Sequence, residues 1–158
     1  MTPDEKIAEL HGIRTPQHFR YVPGIPRLGI PPLGITNGPA GAGPGHQFPQ
    51  LRAKALPAPI SVAASWDLDV AHRYGALAAQ ESRDLGSDLL ESPDVNVIRT
   101  PQGGRSFESF SEDPYLDARM AVVSIEGIQN QHVLANVKHF IANNQETHSM
   151  NIDEQVSE

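Results

Sequence analysis

Two long segments of the chain carry apolar residues at helical spacing. The first predicts a helix from an N-cap at Asp67 to about Asp84, with Gly86 ending it, and the second predicts a helix from about Pro114 to Gln129. Their apolar positions lie mostly three or four residues apart: Leu68, Ala71, Gly75, Ala78 and Leu85 in the first, and Ala118, Ala121, Val122, Ile125 and Ile128 in the second. Each helix therefore has one apolar face available for burial.

Short apolar runs typical of strands alternate with these helices. They are Leu33–Thr36, Ile60–Ala63, Leu89–Leu90, Val95–Ile98 and Val133–Val137. The order strand, helix, strand, helix, strand is typical of an α/β fold with parallel strands, arranged as a sheet or as a barrel.

The opening third of the chain is richer in turn-forming residues than the rest. Of 14 Pro and 13 Gly, 19 lie in positions 1–59, which predicts a loop-rich opening segment before βα units in 60–158. Its first residues, Thr2-Pro3-Asp4-Glu5, match a helix capping box and predict a short helix to about His11.

Charge and cysteine content narrow the function classes. The 158 residues include 12 Lys and Arg against 19 Asp and Glu, a formal net charge of −7, with no basic cluster, which argues against nucleic acid and anionic membranes as partners. The absence of Cys excludes disulfides, thiolate metal sites and cysteine nucleophiles. No run approaches the roughly 18 apolar residues of a membrane span, and positions 1–6 lack the apolar region of a signal peptide. As given, the sequence predicts a cytoplasmic chain.

Polar side chains follow three of the predicted strands. Asn37 follows the first, Arg105 lies beyond a middle one, and Lys138 and His139 follow the last. The carboxyl ends of parallel strands are the usual position of a functional site in α/β folds. The donors among these groups can hold hydroxyls or an anion, although each residue alone is more typical of a surface or structural role.

Several motifs occur in a fixed order around these residues. They are Asn37–Gly41 (NGPAG), Ala63–Asp67 (AASWD), Gly104–Pro114 (GRSFESFSEDP) and Val137–Phe140 (VKHF), together with Met1–Ile7 and Ile25–Leu33. In this order they resemble the N-terminal barrel domain of glycoside hydrolase family three, the β-glucosidase family. The resemblance implies an α/β fold that is the first half of a (β/α)8 TIM barrel, with residues 1–158 forming an incomplete N-terminal domain. It further implies removal of terminal non-reducing β-linked sugars by a retaining mechanism, with a small carbohydrate as partner and no cofactor.

The same resemblance implies roles for individual residues. Arg105, Lys138 and His139 match positions that bind hydroxyls of the terminal sugar, and a cis peptide is expected near the Lys138–His139 pair. Asn37 stands where many members have an Asp that anchors two hydroxyls, so we expect a substrate-binding Asn37 with weaker contacts. Gly43 and Ser149 stand where many members have Arg, which predicts a different hydroxyl pattern or weak binding.

The catalytic pair of the family has no match in this chain. Retaining glycosidases use two carboxyl groups about 5 Å apart, and in the family the nucleophile is the Asp of a Ser/Thr-Asp-Trp motif. Here the only Trp, Trp66, precedes an Asp instead. Glu108, Glu112 and Asp113 are expected to orient Arg105 and to cap the following helix. We therefore predict no catalytic residue in this chain and no activity of the chain alone.

Two other chemistries are disfavoured by spacing. The Gly-rich run Gly38–Gly45 lacks the Gly-Lys-Ser/Thr ending of a phosphate loop, and its prolines remove amide donors. His132, His139 and His148 do not have the His-Glu-x-x-His spacing of a zinc site, so no metal is expected.

Length leads to two hypotheses. A complete eight-unit barrel takes about 250 residues, so 158 residues hold about half of one, and Asn151–Glu158 look like the N-cap and first turn of a further helix. We expect a piece of a longer chain, cut at both ends, so that a lost signal peptide leaves localisation open. The first hypothesis is part of a β-glucosidase-type hydrolase. The second is a non-catalytic remnant that binds sugar weakly or self-associates through open sheet edges.

Overall fold

Four strands form one open sheet in this computed structural model, which describes residues 1–16, 18, 20–43, 52–155 and 157. The strands follow chain order across the sheet: β1 (Arg20–Val22), β2 (Leu33–Asn37), β3 (Leu89–Glu91) and β4 (Leu134–Ala135). β2, β3 and β4 are parallel to one another, and β1 runs antiparallel to β2. The predicted strands at Leu33–Thr36 and Leu89–Leu90 are confirmed.

The antiparallel edge strand β1 was not predicted from the sequence. Residues 23–32 join it to β2 through a short 3₁₀ turn at Pro26–Leu28, which Gly29 ends at φ 68°. A link of this length is too short for the crossover that parallel neighbours need, so the pair is antiparallel.

Four α-helices accompany the sheet within the described residues: α1 (Pro3–Ala8), α2 (Pro59–Ala63), α3 (Leu68–Asp84) and α4 (Pro114–Gln129). Both long helices begin and end where the sequence predicts. The Asp67 carboxylate accepts from Asp69 N–H at 2.9 Å, and the Asp113 carboxylate accepts from Tyr115 N–H at 2.9 Å. Each Asp thereby satisfies a backbone donor of the first turn. The Thr2 capping box is also present, but α1 ends at Ala8 rather than near His11.

The core lies between the long helices and the sheet. Its most buried apolar side chains include Ala63, Ala71, Ala78, Ala79, Leu90, Met120, Ile128 and Val133, each 2% exposed or less. Small residues bring α3 and α4 together: a Cβ on Gly75 would overlap the Ser124 carbonyl, and one on Gly127 would overlap the His72 carbonyl. Packing of α3 against α4 and β3 fixes the loops that follow the strands.

Two predicted strands are wrong. Ile60–Ala63 lies within helix α2, because Pro59 supplies a helix-compatible φ at N1 after an extended Ala58. Val95–Ile98 belongs to a loop. There Asp94 accepts from the Asn96 N–H through its side chain, at 2.9 Å. This local bond replaces a ladder bond, so only isolated bridges from Asp94 to Ser109 and Lys138 remain.

The remaining differences concern element ends. The strand predicted at Val133–Val137 is reduced to β4, and the helix predicted to begin at Asn151 is absent in the described residues 152–155, which follow a turn. Pro44 and Gly45 of the Gly-rich run lie outside the described residues. In the described part of the chain, no helix is long and apolar enough to cross a membrane.

Candidate functional site

Asn37 is the last residue of β2, at the carboxyl end of the parallel strands. The loop after it folds back at once, because Gly43 N–H donates to the Asn37 carbonyl at 3.0 Å and the Thr36 hydroxyl donates to the Gly43 carbonyl at 2.9 Å. A side chain on Gly38 would overlap Leu90, so the turn approaches β3 closely. Asn37 is thereby held at the sheet end with an exposed side chain.

Arg105 and Lys138 converge on one carboxylate. The 3₁₀ turn Ser106–Glu108 brings Glu108 beside Arg105, which donates from Nε to Oε1 at 2.7 Å and from Nη2 to Oε2 at 2.8 Å. Lys138 Nζ lies 3.0 Å from Glu108 Oε2 and 3.4 Å from Asn37 Oδ1. Glu108 therefore joins Arg105 to Lys138, and Lys138 joins this pair to Asn37. The expected role of Glu108 in orienting Arg105 agrees with this geometry.

His139 is held by a second polar group, Asp94 and Asn96. Its backbone N–H donates to Asn96 Oδ1 at 2.9 Å, and Asn96 Nδ2 donates to its carbonyl at 3.2 Å. Its ring Nδ1 lies 3.1 Å from Asn96 Oδ1 and 3.2 Å from Asp94 Oδ2. Because Nδ1 faces two acceptor oxygens, the hydrogen of the neutral ring is on Nδ1.

The backbone around Lys138 joins these two groups. Lys138 N–H donates to the Pro93 carbonyl at 3.0 Å, and Val95 N–H donates to the Lys138 carbonyl at 2.8 Å. The Lys138–His139 peptide is cis, as the resemblance implies.

Burial and charge set the protonation of the site. Burial lowers the pKa of His139, although the charge of Asp94 acts in the opposite direction. The imidazole is therefore neutral. Burial raises the pKa of Glu108, but hydrogen bonds from Arg105 and Lys138 outweigh it, so the net pKa is lowered and the carboxylate is ionised. A hydrogen bond from Asn143 lowers the pKa of Glu146, which lies 3.3 Å from Arg105 Nη1.

Several residues of this site were not predicted from the sequence. Asp94 and Asn96, 3% and 6% exposed, hold His139. Asn96 lies in the run Val95–Ile98 that was predicted as a strand, and Asp94 directly precedes that run. Two polar side chains two residues apart at the start of an apolar run were the available signal, since such a pair shares one face of an extended segment. Glu146 and Asn143, which bond to one another at 3.1 Å, were also missed.

Gly43 and Ser149, which stand where the resemblance led us to expect Arg, lie at the margins of the cluster. Gly43 is bonded to the Asn37 backbone, and Ser149 N–H donates to the Glu146 carbonyl at 3.2 Å on an exposed turn. Among the described residues, no group of three His, Asp or Glu side chains is arranged to hold a metal ion.

The profile described as "Glycosyl hydrolase family 3 N terminal domain" matches residues 40–156. The chain belongs to glycosyl hydrolase family 3. The matched region includes Arg105, Lys138 and His139, and Asn37 precedes it.

Relatives in this family cover the whole chain. Beta-glucosidase B of Emericella nidulans is 39% identical over 158 residues, which are 100% of this chain and 18% of that protein. Two solved structures are similar. DesR, a β-glucosidase from Streptomyces venezuelae in complex with D-glucose, has a TM-score of 0.87 and 42% identity over 98% of this chain and 20% of its own. β-Glucosidase 3B from Thermotoga neapolitana, in complex with α-D-glucose, has a TM-score of 0.81 and 34% identity. The match covers 92% of this chain and 22% of that protein.

These similarities define the fold. The open α/β sheet is part of the TIM-type barrel of the family 3 N-terminal domain, as predicted. The chain spans about a fifth of the length of the relatives it matches. The proposed division into an opening segment 1–59 and βα units in 60–158 stays a prediction.

Proposed function

We propose that this chain supplies the hydroxyl-binding part of a β-glucosidase-type site that holds the terminal, non-reducing, β-linked sugar of a substrate. Asn37, Arg105, Lys138 and His139 are the proposed binding residues. The observation that carries this proposal is that Arg105 and Lys138 both bind Glu108 at the carboxyl end of the sheet, where Lys138 also donates to Asn37.

The hydrogen-bonding capacity of the cluster suits sugar hydroxyls. An ammonium group has three N–H donors, and among the described residues Lys138 Nζ contacts only Glu108 and Asn37. In the Nδ1-protonated ring of His139, Nε2 is an acceptor. A hydroxyl group can donate to His139 Nε2 and accept from Lys138, so one sugar carries both complements.

The carboxylates of the cluster have a supporting role in this proposal. Glu108 accepts from Arg105 and Lys138, and Asp94 accepts from Asn96 N–H and lies beside His139. Fixed carboxylates keep the donors in one geometry before the sugar arrives, which lowers the ordering cost of binding. None of these carboxylates is assigned as the nucleophile or acid/base of a retaining hydrolase, because the given sequence contains no Ser/Thr-Asp-Trp motif.

Relatives support the choice of ligand class. The similar enzymes DesR and β-glucosidase 3B were solved with glucose. A second candidate function is sugar binding without catalysis, which the missing nucleophile motif favours. Reading the coding sequence that follows Glu158 separates the two: an in-frame Ser/Thr-Asp-Trp supports the hydrolase, and a stop codon supports the binding remnant.

Calorimetric titration of the chain with glucose and with an aryl β-glucoside tests the proposed site. We expect saturable binding and no aryl β-glucoside hydrolysis above background. Lys138→Ala should weaken binding by about tenfold or more, the equivalent of one charge-assisted hydrogen bond. His139→Ala should weaken it by up to about tenfold, the equivalent of one neutral hydrogen bond. Turnover by the chain that Lys138→Ala abolishes would show that the expected lack of activity is wrong.

Lys54→Ala is the matched control. Lys54 also forms an ion pair, with Glu81 at 3.0 Å, but its side chain is 71% exposed and lies outside the cluster. Equal loss of binding in Lys54→Ala and Lys138→Ala would mean that net charge, and not the cluster, determines sugar affinity.

A further inference from the structure

Asp117 is an acidic residue on the buried face of α4, outside the proposed sugar site. It is 3% exposed and shares this face with Met120 and Ala121. Its Oδ1 is buried without a hydrogen-bond partner among the described residues. An ionisable side chain at a position that suits an apolar one costs stability, so packing does not explain why Asp is there.

The buried segment Ser109–Phe110 connects Asp117 to Asp94. A backbone hydrogen bond from Phe110 acts to lower the pKa of Asp117, against the stronger effects of burial and of the Asp94 charge. The Ser109 hydroxyl donates to Asp94 Oδ1 at 3.2 Å. The two carboxyl groups therefore hold adjacent residues of one segment, and each lies within the electrostatic influence of the other.

Asp94 links this pair of acids to the sugar site. It forms isolated parallel bridges with Ser109 on one side and with Lys138 on the other. Its Oδ1 accepts from Asn96 N–H at 2.9 Å, and its Oδ2 lies 3.2 Å from His139 Nδ1. With the hydrogen on Nδ1, Nε2 is the atom that accepts from a sugar hydroxyl. The charge of Asp94 therefore determines the form of His139 that a sugar meets.

We propose that Asp117 is a positioning residue for the proposed sugar site and acts on His139 through Asp94. When Asp117 loses its proton, two negative charges share one buried region, which favours a proton on Asp94 or a second proton on His139. A proton on Asp94 weakens its role as an acceptor for Nδ1–H, and a second proton on the ring makes Nε2 a donor. Either change lowers sugar affinity. The inference rests on the proposed function for the role of His139.

The surroundings of Asp117 leave Asp94 as its main electrostatic partner. Among the described residues, Asp94 is the charged group that shifts the pKa of Asp117. The helix α2 and the strand β4 contain no titratable residue. From α3, Tyr74 lies in the same buried cluster as Phe110 and Met120, and burial raises its pKa, so its hydroxyl stays neutral.

The sign of the pH dependence separates Asp117 from the other groups. Burial and the Asp94 charge raise the pKa of Asp117 to about 7, so its ionisation lowers sugar affinity as pH rises through that value. Burial lowers the pKa of His139 and raises that of Asp94. Loss of a proton from either of these two residues gives the form that binds sugar, so both make affinity rise with pH. A fall of affinity with rising pH therefore identifies Asp117.

The test measures glucose affinity by calorimetry at pH 6, 7 and 8. We expect the affinity of the original chain to fall at least about fivefold from pH 6 to pH 8, the lower end of ordinary coupling between two sites. Asp117→Asn stays neutral and should keep at pH 8 the affinity that it has at pH 6. Glu126→Gln is the matched control, because it changes an exposed acid of the same helix to an amide, and it should behave as the original chain.

Two further measurements separate positioning from a structural role. Far-UV circular dichroism at each pH gives the folded fraction, so that unfolding is distinguished from weaker binding. The ¹⁵N signals of the His139 ring, assigned by comparison with His139→Ala, should change near pH 7 in the original chain and stay constant in Asp117→Asn.

The outcomes distinguish this inference from the proposed function. Glucose affinity that does not fall with pH, or that falls equally in Asp117→Asn, would overturn the inference and leave the proposed site intact. A fall that Asp117→Asn removes without any change at His139 would overturn the route through Asp94. A His139 change that depends on Asp117, with no sugar bound at any pH, would retain this route and contradict the proposed function. Absence of both sugar binding and the His139 change would overturn both.

Discussion

Lys138 Nζ lies 3.0 Å from Glu108 Oε2, and both side chains are nearly buried, at 9% and 11% exposure. The pair joins the loop after β4 to the 3₁₀ turn that directly follows Arg105. Lys138 and Glu108 are 30 residues apart in the chain. A buried ion pair adds little net stability over an apolar pair, whereas loss of one partner leaves a buried charge uncompensated. Glu108 is therefore the residue on which the arrangement of the cluster depends.

Glu108→Gln should lower the free energy of unfolding by about 3 kcal/mol, because Lys138 and Arg105 lose their shared counter-charge. Urea unfolding at neutral pH measures this value. Asp69→Asn is the control: it removes the exposed ion pair with Arg73, 3.0 Å long, and should cost less than about 1 kcal/mol. Equal effects of the two substitutions would mean that the Glu108 pair behaves as a surface pair.

Asn96→Ala should affect both stability and sugar affinity. It leaves the partly buried His139 N–H and carbonyl without their side-chain partner, at a cost of about 1–3 kcal/mol. It also removes one of the two oxygens that face Nδ1, so we expect ¹⁵N NMR to show a larger Nε2-protonated population of His139. Asn130→Ala is matched, since Asn130 contacts His72 at 3.2 Å on an exposed surface. An unchanged His139 spectrum in Asn96→Ala would contradict the positioning role of Asn96.

Asp117 predicts a pH dependence of stability. Burial, together with the nearby charge of Asp94, raises its pKa to about 7 in the folded state, from an ordinary value of about 3.8. Its Oδ1 is buried without a hydrogen-bond partner among the described residues. The folded state therefore binds more protons than the unfolded state between these values, so this group makes stability fall as pH rises from about 4 to about 7.

Asp117→Asn should remove that decline, because the amide resembles the protonated acid. We expect a gain at pH 8 of up to about 4 kcal/mol, from roughly three pKa units, and little change at pH 4. Urea unfolding from pH 4 to pH 8 gives the comparison. Asp153→Asn is a control on an exposed terminal segment and should leave the pH profile unchanged. A wild-type profile that does not decline over this range would contradict the raised pKa.

The elements that the sequence predicted are those whose signals are local. Asp67 and Asp113 mark the helix starts by their capping chemistry, and Gly86 marks an end through its positive φ of 79°. The loop from Asp94 to Asn96 could not be predicted, because the side chains that form its local bond are also held by Ser109 and His139, which are distant in sequence. An apolar run has the same period whether its backbone bonds go to a ladder or to the Asp94 side chain.

The candidate site was predictable only in part for the same reason. The roles of Arg105, Lys138 and His139 came from family motifs, and the polar residues that hold them in place have no motif of their own. Asp94 and Asn96 act through contacts with the cis-linked Lys138–His139 segment, and such contacts depend on the tertiary fold.

Self-association through open sheet edges stays a prediction, which analytical ultracentrifugation of the chain can test.

Gly127 provides a test of the helix pair that supports the site. A Cβ at this position would overlap the His72 carbonyl of α3, so Gly127→Ala forces α3 and α4 apart. Helix propensity alone favours Ala over Gly by about 1 kcal/mol, but overpacking in a tight core costs about 1–3 kcal/mol. We therefore expect net destabilisation of up to about 2 kcal/mol, measured by urea unfolding.

Gly12→Ala separates this packing effect from the general effect of replacing Gly. At Gly12 the nearest atom to an added Cβ is the Tyr21 carbonyl oxygen at 3.6 Å, an ordinary contact, and the backbone is not in the left-handed region. This substitution should leave the free energy of unfolding within about 0.5 kcal/mol of the original chain. If Gly127→Ala is instead stabilising, helix propensity outweighs packing, and the close approach of α3 and α4 is not maintained in solution. Since β3 and β4 pack beneath the same helices, sugar affinity should fall in Gly127→Ala only if that close approach positions the Lys138–His139 segment.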